Sequence, residues 1–241
     1  MLLPTMTDEE MCFEAFRVTP SIRMMHDDLA PGVLAKFRDT KNYPRFSRHS
    51  YIDDKRNEWR MTFWVQSKPM KRKGLYGCVC YTIYEIPRKP GVDPSKDTNS
   101  GRGILMFDPR MDTSPFPKDT RRSAMFWDIV PHAFNRYTQY YLKPQGKADM
   151  EFDRKVESVI TRWRHFDTLG DKSSEKHTDK GFASIDIYMK DGGMLRGQYV
   201  NGCLTRIFTY ISEDMMYDNQ IERQKEMERE YWQWKRLGLY K

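Results

Sequence analysis

His132 and Arg136 stand four residues apart in Ile129-Val-Pro-His-Ala-Phe-Asn-Arg-Tyr137. That spacing puts both side chains on one helical face, close to the helix N-terminus that Pro131 opens. A histidine titrates near neutral pH and can carry protons, and a fixed guanidinium can stabilise a phosphorane-like transition state. Backbone N–H groups at the helix start suit phosphate while opposing imidazole protonation. The chemistry these types support is RNA cleavage without metal, with His132 and Arg136 as catalytic candidates. A capping or partly buried histidine beside a surface arginine is the structural alternative.

A second set of chemically able side chains comes from residues 181–212. Runs of β-formers there are cut by Asp191-Gly192-Gly193 and Asn201-Gly202, whose glycines supply the positive φ that hairpins need, so a three-stranded antiparallel meander is expected. A three-residue first loop pairs Lys190 with Met194, hence Tyr188 with Arg196. A two-residue second turn pairs Val200 with Cys203, hence Gln198 with Thr205. One face then carries Ile185, Ile187, Met189, Leu195, Tyr199, Leu204 and Phe208 as core. The other collects Asp186, Tyr188, Arg196, Gln198 and Thr205, making Arg196 a third catalytic candidate and Tyr188, Gln198 and Thr205 nucleic-acid contacts. The same set also reads as the solvent side of an ordinary sheet, and a one-residue slip would exchange its faces.

A His-Ala-x-x-Arg helix followed by an antiparallel meander that ends in Thr209-Tyr-Ile-Ser212 resembles small ribonuclease toxins of the RelE/BrnT-like class. The likeness covers about residues 124–217. It implies a compact α/β core that cleaves RNA without metal, with roles for His132 and Arg136. The helix expected between motif and meander and the large N-terminal region depart from that pattern.

Charge points to anionic partners by a separate route. The chain has 241 residues, 41 Lys/Arg against 34 Asp/Glu, and a formal charge of +7. The whole surplus lies between Arg17 and Lys73, where Arg45-Phe-Ser-Arg48-His-Ser-Tyr and Lys68-Pro-Met-Lys71-Arg72-Lys73 interleave cations with aromatic or turn residues. Arg45, Arg48, Lys68, Lys71, Arg72 and Lys73 are therefore candidate contacts to nucleic acid, RNA being favoured. A solvated basic surface is the alternative.

Other chemistries find little support. P-loop, GxGxxG, HExxH and GxSxG patterns are absent. His26-Asp27-Asp28 and His165-Phe-Asp167 offer metal-capable atoms without completing ligands, and Tyr51-Ile-Asp-Asp-Lys55 lacks the further acid of a nuclease set. No cofactor or metal is expected. Cys12, Cys78, Cys80 and Cys203 read as structural thiols of a reducing compartment, with Cys78 and Cys80 on one strand face. Mean hydropathy is −0.82, and neither an apolar leader nor an apolar span is seen, so a cytoplasmic protein without a membrane partner is expected.

The elements that must hold these residues form an α+β pattern of antiparallel sheets, flanking helices and a long C-terminal helix. Residues 1–119 read as a basic region with a patchy helix over Ser21 to Asp39, interrupted at Pro31-Gly32, and strands near Trp59–Gln66, Leu75–Glu85 and Ile104–Phe107. Residues 120–212 add a strand at Ala124–Val130, helices to about Leu142 and over Met150–Leu169, and the meander. Residues 213–241 read as a charged helix capped by Ser212, with an aromatic tip. The three regions are equally compatible with one domain. Tyr231, Trp232 and Trp234 at that tip are candidate contacts to a protein partner or a second copy, which is the basis of the alternative function, a non-enzymatic assembly protein.

Overall fold

The first helix, α1 (Asp8–Arg38), is uninterrupted over 31 residues. Thr7 caps it: its hydroxyl accepts from the Glu10 amide at 3.3 Å, and the Glu10 carboxylate accepts from the Thr7 amide at 2.7 Å. Acids fill the first turn, and Lys36 and Arg38 lie in the last. The break expected at Pro31 does not occur. Pro20 and Pro31 both lie on the exposed side, while Cys12, Ala15, Val18, Ile22, Ala30, Val33 and Phe37 form a buried stripe. Burial of that stripe outweighs two missing backbone bonds.

In the computed structural model, residues 5–93, 97, 99–110, 126–162, 184–190, 192–200 and 203–236 are described. Eight strands follow α1: β1 (Arg45–Ile52), β2 (Glu58–Val65), β3 (Gly77–Ile86), β4 (Gly101–Phe107), β5 (Phe126–Ile129), β6 (Ser184–Tyr188), β7 (Met194–Tyr199) and β8 (Leu204–Ile211). They form one sheet in the order β1-β2-β3-β4-β5-β8-β7-β6, antiparallel except where β5 runs parallel to β8. The N-terminal strands and the meander, separate in sequence, are thus one sheet in an α+β fold. The short helix α2 (Lys68–Arg72) follows β2.

Two cores lie on opposite faces of the sheet. On one, α1 packs against Trp59, Met61, Phe63 and Val65 of β2, Cys78 and Cys80 of β3, and Leu105, Phe107, Phe126 and Leu204. On the other, α3 (Pro131–Tyr137) and α4 (Phe152–Arg162) cover Val79, Tyr81, Ile104, Met106, Trp127, Ile129, Leu195, Ile207 and Tyr210. Central strands buried on both faces account for the near-continuous apolar runs in β3, β4 and β5. A π-helical turn, Thr138–Leu142, continues α3. Val156, Val159 and Ile160 of α4 are buried as expected, and the expected continuation through Trp163 to Leu169 lies outside the described residues.

The long C-terminal helix expected from Ser212 is not found. Glu213–Met215 form a single 3-10 turn, Met216 is extended (φ −76°, ψ 143°), and a separate helix, α5 (Asp218–Arg236), begins after it. Among the described residues no helix is long and apolar enough to cross a membrane.

The meander has the expected strands but not the expected register. Tyr188 pairs with Met194 and Asp186 with Arg196, a two-residue displacement that keeps the faces of β6 and β7. Gly192 (φ 88°) and Gly193 (φ 75°) supply the left-handed turn, and the Met189 amide donates to the Gly193 carbonyl at 3.0 Å. At the second turn Gln198 pairs with Arg206, not Thr205. That one-residue slip exchanges the faces of β8. Leu204 therefore points toward α1, and Thr205 and Ile207 face α3. Phe208 sits at a bulge opposite Arg196 and Gly197, 39 % exposed.

Candidate nucleic-acid interface

The three catalytic candidates do not meet. His132 is half-buried at the start of α3, a helix of seven residues. Arg136, one turn on, fastens that helix to β8: its Nε donates to the Tyr210 carbonyl at 3.3 Å and its guanidinium lies 4.7 Å from the Tyr140 ring centre. Arg196 is on the opposite sheet face, because its neighbour Leu195 packs among the α3 side chains and strand residues alternate. There it forms a two-bond ion pair with Asp186, both contacts 2.8 Å. The Asp186 hydrogen bond, the largest cause, holds the Arg196 pKa above its ordinary value.

The meander contacts divide likewise. Tyr188 and Gln198 share the face of Arg196, whereas Thr205 is fully buried on the other. Arg206 takes its place. Its Nε donates to Asp128 at 2.6 Å and its Nη2 to Asp8 at 2.7 Å, while the Tyr84 hydroxyl donates to Asp128 at 2.5 Å. Burial raises the Asp128 pKa, with Arg206 opposing. Arg196 and Arg206 each have a carboxylate of their own, so the meander end of this face holds little uncompensated charge.

The N-terminal cations also fall into two groups. Arg48 bridges β1 to α4, its Nη2 donating to the buried Glu157 carboxylate at 2.8 Å. That hydrogen bond raises the Arg48 pKa against burial, and the cation serves the fold. Arg45, Lys68, Arg72 and Lys73 are exposed.

Lys71 shows how these four are gathered. Its Nζ donates to the carbonyls of Arg38 at 2.8 Å and Thr40 at 3.0 Å, so α2 is held against the C-terminus of α1. Arg45, paired with Val65, brings the start of β1 beside the strand end that feeds α2. Ser67 caps α2 by accepting from the Met70 amide at 3.4 Å. One pole of the molecule therefore collects Lys36, Arg38, Lys41 and Arg45 from the first segment and Lys68, Lys71, Arg72 and Lys73 from the second. Residues 36–45 and 66–74 hold eight Lys/Arg and one acid, Asp39; this surplus of seven equals the formal charge of the whole chain.

Sequence pattern does not set Lys36, Arg38 and Lys41 apart, because their nearness to α2 depends on where α1 ends. Half-buried Tyr43, whose hydroxyl donates to the Thr40 carbonyl at 3.2 Å, borders the cations. His49, in the same strand as Arg45, has its pKa lowered by burial and then by Lys36.

At the C-terminus, Gln224 of α5 donates to the Met189 carbonyl at 3.4 Å, and Gln220 is buried. Trp232 is 47 % exposed. The side chains of Tyr231 and Trp234 lie outside the described ones.

Compared with known proteins, the chain matches no protein-family model, no curated protein and no solved structure.

Proposed function

We propose that this protein binds nucleic acid, RNA in the first instance, through the basic pole formed by the C-terminal end of α1, the start of β1 and α2. The observation that supports it is the gathering of the chain's entire charge surplus onto two adjoining segments, while Arg48, Arg196 and Arg206 elsewhere are each matched by a carboxylate. Such a pole attracts phosphates by counterion release, so it favours backbone contacts over sequence recognition. Catalysis is not part of this reading, since it would have to proceed at His132 and Arg136 without Arg196.

The test is fluorescence anisotropy with a labelled mixed-sequence single-stranded RNA over a salt series. Log affinity should fall linearly with log salt, each phosphate contact contributing about −0.7 to the slope. Joint reversal of Lys68, Arg72 and Lys73 to Glu should reduce the slope by about 2. Salt-independent binding, or a slope unchanged in the triple variant, would refute the reading.

A second reading rests on Trp232. A tryptophan nearly half exposed near the end of a charged helix suits docking on a protein partner or a second copy. Light scattering after size exclusion would show Trp232→Ala shifting a dimer toward monomer; a monomeric wild-type protein would leave only a heterologous partner.

A further inference from the structure

Cys12 and Cys203 lie 191 residues apart in the chain, yet their sulfur atoms approach to 2.7 Å. That is nearer than two sulfurs rest without a bond, and a small movement from the bonded distance of about 2.05 Å. Cys12 is on the second turn of α1 and buried at 5 % exposure. Cys203 is half-buried immediately before β8, where its carbonyl accepts from the Phe126 amide at 2.8 Å. Of the two thiols, Cys203 is thus the more open to solvent.

We propose that Cys12 and Cys203 are a reversible disulfide pair, in which Cys203 meets a low-molecular-weight disulfide such as oxidised glutathione and Cys12 resolves the product. The Cys203 thiolate attacks one sulfur of the small disulfide, breaking its S–S bond and releasing one small thiolate. The Cys12 thiolate then attacks the Cys203 sulfur of the mixed disulfide and expels the second. Overall, two protein thiols are oxidised, one small disulfide is reduced to two small thiols, and the two protein protons pass to those thiols.

Electrostatics fits this order. The hydrogen bond with Cys12 lowers the Cys203 pKa, with burial opposing. Cys78 and Cys80, buried under α1, have theirs raised by burial and serve as unreactive internal controls. The bond would fasten the N-terminal turns of α1 to the seam where β5 meets β8, beside the Arg206 to Asp8 contact at 2.7 Å.

The full chain would be equilibrated with stepped ratios of reduced and oxidised glutathione, quenched with an alkylating agent, digested and weighed by mass spectrometry. The expected product is a Cys12 peptide linked to a Cys203 peptide, without retained glutathione, and with Cys78 and Cys80 unlinked. Cys12→Ser should stop at the glutathione mixed disulfide on Cys203. Oxidised wild-type protein should melt about 5 °C or more above the reduced form, because the bond closes a long loop. Absence of the cross-link at the most oxidising ratio overturns the proposal, whether or not Cys203 carries glutathione.

Discussion

The Lys71 ammonium donates to the Arg38 carbonyl at 2.8 Å, so a residue of α2 completes the C-terminal end of α1. The contact neutralises part of the negative helix end and holds two basic segments together. It divides cations that look alike in sequence: Lys71 positions the pole, while Lys73, two residues on, is exposed.

Lys71→Met should therefore lower stability by about 1 kcal/mol and weaken RNA binding as well. Lys73→Met should weaken binding alone. Urea denaturation paired with anisotropy separates the two outcomes.

Asp53 anchors α1 to the turn between β1 and β2. Its carboxylate accepts from the Asn57 amide at 2.8 Å, the Trp59 indole at 3.2 Å and Arg17 at 2.7 Å, while Arg17 and Lys55 also hold Glu14. Burial raises the pKa of Asp53 and of Glu14, but these bonds outweigh it and both end below their ordinary values of 3.8 and 4.5. A depressed carboxylate contributes stability that is complete above the unfolded value and lost as pH falls through the folded one. Asp53→Ala should lower stability by about 3 kcal/mol at pH 7. Its difference from wild type should shrink below about pH 4. Asp128 is common to both proteins and cancels. Urea melts between pH 3 and pH 7 give the comparison.

Gly197 sits at the β7–β8 bulge, where an added Cβ would lie 2.1 Å from the Arg206 carbonyl oxygen and 2.8 Å from Ile207 Cδ1. Backbone cannot yield as a flexible side chain can, so Gly197→Ala should destabilise by about 3 kcal/mol. Gly32 in α1 has nothing within 4 Å of a built Cβ. Gly32→Ala should stabilise by about 0.8 kcal/mol, and chemical denaturation of the two variants should move in opposite directions.

Because Arg196 lies across the sheet from His132 and Arg136, labelled RNA should remain intact when incubated with the protein in EDTA, and His132→Ala should bind RNA as wild type does. Cleavage that His132→Ala abolishes, seen on a denaturing gel, would instead restore the histidine to a catalytic role.

Local chemistry was legible in the chain itself. The glycine-bearing first turn of the meander, the alternation of β2, the shared face of Cys78 and Cys80 and the α4 stripe of Val156, Val159 and Ile160 follow from nearest-neighbour preferences and periodicity. These depend on a few adjacent residues. The long reach of α1 did not follow from them, because burial against the sheet overrides two prolines. Nor did the strand character of β1, whose charged and aromatic residues suit an edge as well as a loop.

Tertiary structure alone decided the rest. Parallel pairing of β5 with β8 merged two regions into one sheet, a single-residue change at the second turn sent Thr205 inward and brought Arg206 to Asp128, and Arg196 was parted from His132 by the thickness of that sheet. Composition placed the positive surplus in the N-terminal part of the chain. Only the packing of α2 against the end of α1 showed which cations stand together and which, like Arg48, are held by a carboxylate far away in sequence. The physical reason is that charge and periodicity are properties of segments, whereas a binding surface is a property of the distances between them.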